Sequence, residues 1–276
     1  MSAKNDKKSN WIAFSVDLEP NLDGTLNGVK EAMEWYDDTV PTGTIFTTHT
    51  VVKELPDMIR GLADNHEIGV HVHPNEFDFD HDKFAKLPIR EQTSLIKKTR
   101  NKIESECDIN AESITSFRAG RHSIDRNTFE VLSSLGFTTD ASINIEYGEK
   151  IDDSVVDIDS PTPLYDGILE IPTTYTVPRL FSGLGIRALP RRTITATSST
   201  VRIDRRGLSG SEALREIWSQ TDSGFSFYMH PHDASGYHTH LENNGETFRN
   251  RIEEFLQGIR EGTNFVQMSE ISEFTT

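Results

Sequence analysis

The stretch Trp11-Ile-Ala-Phe-Ser-Val-Asp-Leu-Glu19 sets the pattern on which the rest of the chain is built. Its first six residues form an apolar run that predicts a buried strand, and Asp17 and Glu19 follow directly at positions i and i+2. If the strand persists, both carboxylates project from the same face. One of them could hold a metal ion while the other acts as a base. Acids at a strand end are also ordinary loop and helix-cap residues, so the pair alone does not decide between the two.

Short apolar runs of this kind alternate with helix-period segments along the chain. A long helix is predicted in the segment 90–107, and the cleanest amphipathic helix lies at 248–259. Strands are predicted at 11–16, 43–47, 67–71, 113–117, 137–139, 168–171, 225–229 and 265–268. The alternation predicts an α/β fold class in which helices cover a parallel sheet, and at this length the sheet is expected to close into a barrel. In such a barrel the chemistry gathers at the carboxyl ends of the strands.

The domain organisation predicted from the sequence is simple. Residues 1–10 form a polar N-terminal tail, and residues 11–276 form a single domain. Residues 172–208 are the least regular stretch, which we interpret as an elaborated connection that carries its own short strand. The apolar run at 11–16 is too short for a signal peptide or a membrane span, so no membrane span is expected.

Charge and cysteine content exclude several classes of function. With 28 Lys+Arg against 44 Asp+Glu, the net charge is −16, which argues against nucleic-acid binding and against docking on a membrane surface. Cys107 is the single cysteine and cannot form an intrachain disulfide, which is typical of a cytoplasmic protein. No lysine occurs after Lys150. An acidic, lysine-poor surface suits a halophilic, high-salt cytoplasm, and an ordinary acidic protein is the alternative.

Histidines at the end of the third predicted strand suggest a metal site. His71 and His73 follow an apolar run at i and i+2, with Pro74 and Asn75 behind them. Two imidazoles on one side of a strand end could form half of a His/His/carboxylate site suited to zinc or a similar divalent ion. Two structural histidines are the alternative.

Two further strand ends carry charged side chains. Arg118 ends the fourth predicted strand, where it could pair with a carboxylate of the site and keep it ionised. The β-prone run Phe225-Ser-Phe-Tyr-Met229 delivers His230 to a strand end, which is a suitable place for a general acid.

Taken in order along the chain, these residues resemble the motifs of the polysaccharide deacetylase superfamily, which is also described as NodB-homology or carbohydrate esterase family 4-like. The resemblance runs from Ile12 to about Phe274 and covers five motifs. The matching stretches are Phe14-Ser-Val-Asp17-Leu-Glu19, His66-Glu-Ile-Gly-Val-His71, Phe117-Arg-Ala-Gly120, Gly136-Phe-Thr-Thr-Asp140-Ala-Ser142 and Tyr228-Met-His230-Pro231.

The resemblance implies a distorted (β/α) barrel of about seven parallel strands that acts as a catalytic domain. It implies a hydrolase of non-peptide carbon–nitrogen bonds that removes N-acetyl groups from an amino-sugar-containing glycan or glycan precursor. One divalent metal ion is implied as cofactor, with zinc expected and cobalt, manganese or nickel as alternatives. Glu19, His71 and His73 would hold this ion.

Catalytic roles are implied in the same way. Asp17 would be the general base, Arg118 would orient it, and His230 would protonate the leaving amine. The chain departs from the common pattern at Leu18, which separates the two acids. It also departs at Asn75, which stands where many members place the second histidine, so that His73 becomes the expected ligand.

Two other functions remain open from the sequence. A related hydrolase could act on a small amide or ureide instead of a sugar. A catalytically silent carbohydrate-binding relative is also compatible with the motifs, and the altered metal motif is its best support.

Overall fold

A computed structural model describes residues 10–145, 162–165, 167–176, 194–204, 207–221, 224–237, 245–259 and 262–274. Strands and helices alternate within these ranges. The strands are β1 (Trp11–Leu18), β2 (Thr44–Thr47), β3 (Glu67–Val72), β4 (Ser116–Ala119), β5 (Thr139–Asp140), β6 (Thr162–Tyr165), β7 (Ile168–Glu170), β8 (Tyr175–Thr176), β9 (Ile194–Thr195), β10 (Gly224–Met229) and β11 (Asn264–Phe265). The helices are α1 (Val29–Thr39), α2 (His49–Glu54), α3 (Pro56–Leu62), α4 (Ile89–Cys107), α5 (Arg126–Ser134), α6 (Ser198–Arg202), α7 (Gly210–Gln220), α8 (Pro231–Ser235) and α9 (Gly245–Gln257).

One curled sheet carries most of these strands, in the order β10-β1-β2-β3-β4-β5-β7-β6. The seven strands from β10 to β7 run parallel, and β6 pairs antiparallel with β7 at the edge. The short β11 pairs parallel with the start of β1. The predicted distorted (β/α) barrel of about seven parallel strands is therefore confirmed.

The central strand β1 shows why the sequence folds in this way. All eight of its residues are buried, as expected for a strand of a parallel sheet that is covered on both faces. Its register with β10 pairs Val16 with Met229, so that both strands end at the same edge. The register of β3 with β4 pairs His71 with Arg118. The predicted functional residues therefore lie on neighbouring strands at the carboxyl edge of the sheet.

Helix periodicity is a reliable guide in this chain. In α4 the predicted buried stripe, which includes Leu95, Thr99 and Ile103, is buried, and Cys107 is a buried apolar residue at its end. In α9, Phe248 and two further residues of the amphipathic face are buried. None of the described helices is long and apolar enough to cross a membrane.

Most predicted strands shift by one or two residues in their bounds, and two of them shift by three residues at one end. The segment 113–117 was expected to be a strand, but the Asn110 side chain accepts a hydrogen bond from the Glu112 amide and starts a short 3₁₀ turn, so that β4 begins only at Ser116. The last strand was expected at 265–268 and ends at Phe265. A 3₁₀ segment follows at Met268–Phe274, and the Met268 amide donates to a side chain of β2, Thr44 Oγ1, instead of to a backbone carbonyl.

The irregular stretch 172–208 does contain its own strands. Its described part includes β8 and β9, which form a separate two-stranded antiparallel sheet. Residues 177–193 of this stretch lie outside the described residues, and so do residues 1–9 of the predicted tail.

Candidate active site

Six polar side chains predicted from the sequence meet at the carboxyl edge of the sheet. Each lies in a strand or directly after one. The six are Asp17 in β1, Glu19 after β1, His71 in β3, His73 after β3, Arg118 in β4 and His230 after β10.

Asp17 and Arg118 form a buried ion pair across the sheet. Arg118 Nη1 donates to Asp17 Oδ1 at 2.5 Å, and the side chains are 1% and 4% exposed. Burial alone would raise the pKa of Asp17, but the charge of Arg118, together with those of the nearby histidines, outweighs burial and lowers the pKa. Asp17 is therefore ionised at neutral pH, as the sequence predicts for a carboxylate paired with this arginine.

Arg118 is held on several sides. Its Nε donates to the Ala141 carbonyl at 2.8 Å, and the centre of its guanidinium lies 4.3 Å from the ring of Phe46 and 5.1 Å from the ring of Tyr228. A planar guanidinium between two aromatic rings has little freedom to rotate. The carboxylate that it contacts is therefore fixed in direction.

The predicted motif around Asp140 lies behind Arg118. Ser142 Oγ donates to Asp140 Oδ1 at 2.6 Å and accepts from the Ala119 amide at 2.9 Å, which ties β5 to the end of β4. Asp140 also shares a hydrogen bond with Glu170 on β7, and both carboxyl groups are fully buried. Burial raises the pKa of both acids, and the neighbouring Asp140 raises that of Glu170 further.

His71 and His73 turn the same ring atom toward the site. His71 Nδ1 lies 2.8 Å from the Arg118 carbonyl, and His73 Nδ1 lies 2.8 Å and 3.0 Å from the two carboxylate oxygens of Asp82. A carbonyl and a carboxylate can only accept, so each Nδ1 carries the hydrogen. Each ring then presents Nε2 to the site.

Glu19 completes this cluster. His73 Nε2 lies 2.6 Å from Glu19 Oε2 and 3.1 Å from His71 Nε2, and the distance from His71 Nε2 to Glu19 Oε2 is 3.5 Å. Three acceptor atoms at such distances repel one another unless a proton or a metal ion lies between them. Two imidazole nitrogens and one carboxylate oxygen are a donor set that zinc and similar divalent ions prefer. The residues present therefore fit the implied metal ion.

The same crowding determines the pKa values of the cluster. Burial opposes a charge on His73, but its hydrogen bonds with Asp82 and Glu19 outweigh burial and raise its pKa to about 10. Burial likewise opposes the charge on Glu19, and hydrogen bonds from His71 and His73 hold its pKa well below the usual range. The site thus concentrates positive charge against Glu19.

Gly120 makes room for the ring of His73. A Cβ at this position would lie 2.7 Å from Nδ1 and 2.8 Å from Cγ of His73, which is far inside van der Waals contact. Asn75 lines the adjoining cleft, while the ring of His73 is the group that meets Glu19 and His71. The i, i+2 spacing predicted for the two histidines therefore does bring them together.

His230 approaches from β10. Its Nε2 lies 3.6 Å from Glu19 Oε1 and 4.0 Å from Asp17 Oδ2, and its Nδ1 lies 3.5 Å from Asp233 Oδ2. Burial would lower the pKa of His230, but the hydrogen bond to Asp233 and the charges of Glu19, Asp233 and Asp17 raise it to about 9. Asp233 is itself paired with Arg202 at 2.7 Å.

Sequence reasoning did not single out Asp82, Asp233 or the steric role of Gly120. Asp233 has a detectable signal, since a His-Pro-x-Asp pattern places Pro at the first helical position and an acid where it can cap the backbone of His230, as it does at 2.9 Å. Asp82 has none, because it reaches His73 from nine residues further on, outside any strand or helix.

A cleft of about 350 Å³ opens beside the cluster. Its walls include Glu19 and His73 from the cluster itself. Other residues that line it are Asn21, Thr50, Asn75, Glu76, Asp82 and Arg121.

Comparison with known proteins shows which solved structures share this fold. No protein-family model matches the chain, and no curated protein matches it. A polysaccharide deacetylase candidate from Mycobacterium smegmatis aligns over 99% of this chain and 92% of its own length, with a TM-score of 0.63 and 17% identity. The Bc1960 peptidoglycan N-acetylglucosamine deacetylase aligns over 96% and 88%, with a TM-score of 0.54 and 14% identity.

A third similar structure is a mutant of BA3943, a carbohydrate esterase family 4 pseudoenzyme, with restored enzymatic activity. It aligns over 96% of this chain and 67% of its own length, with a TM-score of 0.50 and 14% identity. The chain therefore has the fold of the polysaccharide deacetylases, and the resemblance that its sequence motifs indicate is confirmed at the level of the fold.

Proposed function

We propose that this chain is a metal-dependent deacetylase that hydrolyses the N-acetyl groups of an amino-sugar-containing glycan or glycan precursor. The observation that carries the proposal is the meeting of Glu19, His71 and His73 around one point, with Asp17 and His230 beside it. The fold shared with deacetylases supports it.

Glu19, His71 and His73 would hold the ion. A divalent ion bound there supplies Lewis acidity, which polarises an acyl carbonyl and makes water a better nucleophile at neutral pH. The nitrogen and oxygen donors favour zinc, and cobalt, manganese and nickel are the alternatives to test.

Asp17 is the general base of the proposed reaction. Its carboxylate is ionised and almost completely buried, so it can accept a proton from water at a fixed position. Arg118 is a positioning residue, because its ion pair and its two aromatic neighbours fix the direction of that carboxylate. The proton accepted by Asp17 comes from the water whose oxygen attacks the acyl carbon.

His230 is the proposed general acid. Its Nε2 lies 4.0 Å from Asp17 Oδ2 and 3.6 Å from Glu19 Oε1, so it can reach the nitrogen of an amide bound at this site. Donation of this proton lets the carbon–nitrogen bond break with a neutral amine as the leaving group. The products are then acetate and the free amino sugar.

A cleft lined by hydrogen-bonding side chains beside an apolar surface favours a sugar as substrate. Asn21, Thr50 and Asn75 supply amide and hydroxyl groups along its walls, which suit hydrogen bonding to a sugar. The exposed Leu22 lies on the same rim and offers an apolar surface to a sugar ring. A small amide or ureide is the alternative substrate.

A catalytically silent carbohydrate-binding protein is the second candidate function. It is favoured by one observation, namely that a family 4 pseudoenzyme shares this fold. The two candidates differ in metal content and in turnover, which one set of measurements can determine.

The test is acetate release from a panel of N-acetyl-hexosamine compounds, with zinc, cobalt, manganese or nickel added and a small amide and a ureide as comparison substrates. The expected result is metal-dependent release from the sugars that falls by about 10²–10⁴-fold in Asp17→Asn. Hydrolysis of the amide or ureide alone would indicate a hydrolase of small molecules instead of a sugar deacetylase. Sugar binding without turnover and without metal would support the silent protein instead.

A further inference from the structure

The two histidines of the cluster are oriented by chemically different partners. His71 Nδ1 donates to a neutral backbone carbonyl, that of Arg118, at 2.8 Å. His73 Nδ1 donates to the ionised carboxyl group of Asp82, whose two oxygens lie at 2.8 Å and 3.0 Å. Asp82 therefore adds a charge behind one of the two rings, and the other ring has only a dipole behind it.

Asp82 is itself held in place by Arg121. Arg121 Nε donates to Asp82 Oδ2 at 3.0 Å, and this is the oxygen that is closest to His73. Both oxygens of Asp82 face the Nδ1 hydrogen of His73, and Oδ2 also accepts from Arg121 Nε. Asp82 thus faces His73 as a carboxylate.

The backbone around Arg121 is arranged for this contact. Arg121 and His122 both have left-handed φ angles, 56° and 53°, although neither is a glycine. Such residues are uncommon and persist where the surrounding structure holds them, often at functional sites. The preceding Gly120 lies against the ring of His73, so one turn after β4 both admits this ring and directs Arg121 toward Asp82.

We propose that Asp82 is a positioning residue of the metal site: it fixes the hydrogen of His73 on Nδ1 and so presents the Nε2 lone pair toward Glu19 and His71. The inference rests on the proposed function in taking Glu19, His71 and His73 as the metal ligands. It adds that metal binding through His73 depends on the side chain of Asp82, nine residues further along the chain, which the sequence motifs do not contain.

Asp82 offers His73 both a hydrogen-bond acceptor and a negative charge, and two substitutions separate these contributions. Asp82→Asn keeps an oxygen that can accept the Nδ1 hydrogen and removes the charge. Asp82→Ala removes both the acceptor and the charge. Residues that orient a metal-bound histidine in this way typically change metal affinity by about 10–100-fold. We therefore expect the loss to be about 10-fold in Asp82→Asn and to approach about 100-fold in Asp82→Ala.

The experiment is a zinc titration of the full chain against a competing chelator. Glu76→Gln is the matched control, because Glu76 is an acid in the same cleft whose Oε2 accepts from the Thr50 amide at 3.2 Å. If Asp82 acts only by attracting cations, Glu76→Gln and Asp82→Asn should weaken zinc binding equally. If Asp82 positions His73, Glu76→Gln should stay close to the wild type.

A second measurement keeps the proposal testable if Asp82→Ala unfolds. Substitution of cobalt for zinc gives an absorption spectrum that reports on ligand geometry, so Asp82→Asn should change the spectrum and Glu76→Gln should not. Zinc affinity and a cobalt spectrum both unchanged in Asp82→Ala, or in Asp82→Leu if the alanine variant does not fold, would overturn the inference and leave the proposed function intact. A wild-type chain that binds no zinc would overturn the metal-dependent function and this inference together.

Discussion

Two clusters of hydrogen-bond acceptors lie within the same barrel. Their negative charge is neutralised in different ways. In the first, Glu19, His71 and His73 meet at the edge of the cleft, where the side chain of Glu19 keeps 16% of its surface exposed. In the second, Asp140 and Glu170 meet on β5 and β7 and are 0% exposed. Each cluster brings acceptors together more closely than repulsion alone would allow.

The second cluster is balanced by a proton. Glu170 Oε1 accepts from the Ile143 amide at 2.9 Å and Asp140 Oδ1 accepts from Ser142, which leaves the remaining oxygen of each acid to the other. Two carboxylates cannot both be ionised in such a site, so one proton is shared between them. The nearby charge of Arg118 favours ionisation of the pair but does not outweigh burial and mutual repulsion.

The comparison shows that access to solvent determines whether a proton or a metal ion neutralises the cluster. A fully enclosed pair of acids can be neutralised only by a proton taken up within the fold. A cluster that opens to a cleft can exchange its protons for a metal ion, and its nitrogen donors favour that exchange. Substitutions in the open cluster should therefore change chemistry and metal binding, whereas substitutions in the enclosed pair should change stability.

The largest effect is expected at Asp17, which faces the open cluster. Asp17→Asn keeps the size of the side chain and removes the base, so kcat for acetate release should fall by about 10²–10⁴-fold. Metal content should stay close to that of the wild type, because Asp17 is not among the proposed ligands. Near-normal acetate release by the folded, metal-loaded variant would show that Asp17 is not the base.

A smaller and more selective effect is expected at His230. His230→Ala should lower kcat by about 10²-fold or more on an N-acetyl amine and by much less on an activated acetyl ester, because the ester leaving group needs little help from a proton. Both rates are measured on the same preparation. Equal losses on the two substrates would indicate that His230 supports the fold or the oxyanion instead.

In the enclosed pair the expected effect is on stability alone. Because folding raises the pKa of Glu170, the folded chain binds more protons than the unfolded chain above the pKa of an unfolded glutamate, and stability is lost as the pH rises toward the folded pKa. The slope for one proton is at most about 1.4 kcal/mol per pH unit. Glu170→Gln imitates the protonated acid, so it should remove this slope while metal affinity stays unchanged.

Urea unfolding of the wild type and of Glu170→Gln over a pH series checks this prediction. Parallel stability curves for the two proteins would mean that Glu170 ionises freely in the folded chain. A change in metal affinity in Glu170→Gln would mean that the two clusters are not independent, contrary to the comparison.

Much of the open cluster follows from sequence pattern, while the enclosed pair does not. Apolar runs that end in Asp17, His71, Arg118 and His230 predict parallel strands, and parallel strands deliver their ends to one edge. The partner of Asp140 depends on a register between β5 and β7 that no local pattern specifies. That both acids are fully buried, and therefore share a proton, follows only from the packed fold.

The residues that contact the proposed metal ligands from outside also cannot be predicted from the sequence. Asp82 reaches His73 through a turn without periodicity, and the close approach of Gly120 to the same ring depends on the angle at which β4 ends. The motif Phe117-Arg-Ala-Gly120 contains this glycine but does not predict its role. Its purpose is steric, because a side chain there would displace His73.

The most direct test of the central claim is the metal content of three purified proteins after supplementation with zinc. We expect about one ion per chain in the wild type, none in His73→Ala, and close to the wild-type content in Asn75→Ala. This result would establish Glu19, His71 and His73 as an open cluster completed by a metal ion. An Asn75→Ala protein that loses the ion while His73→Ala keeps it, or a wild type that holds none, would contradict the account.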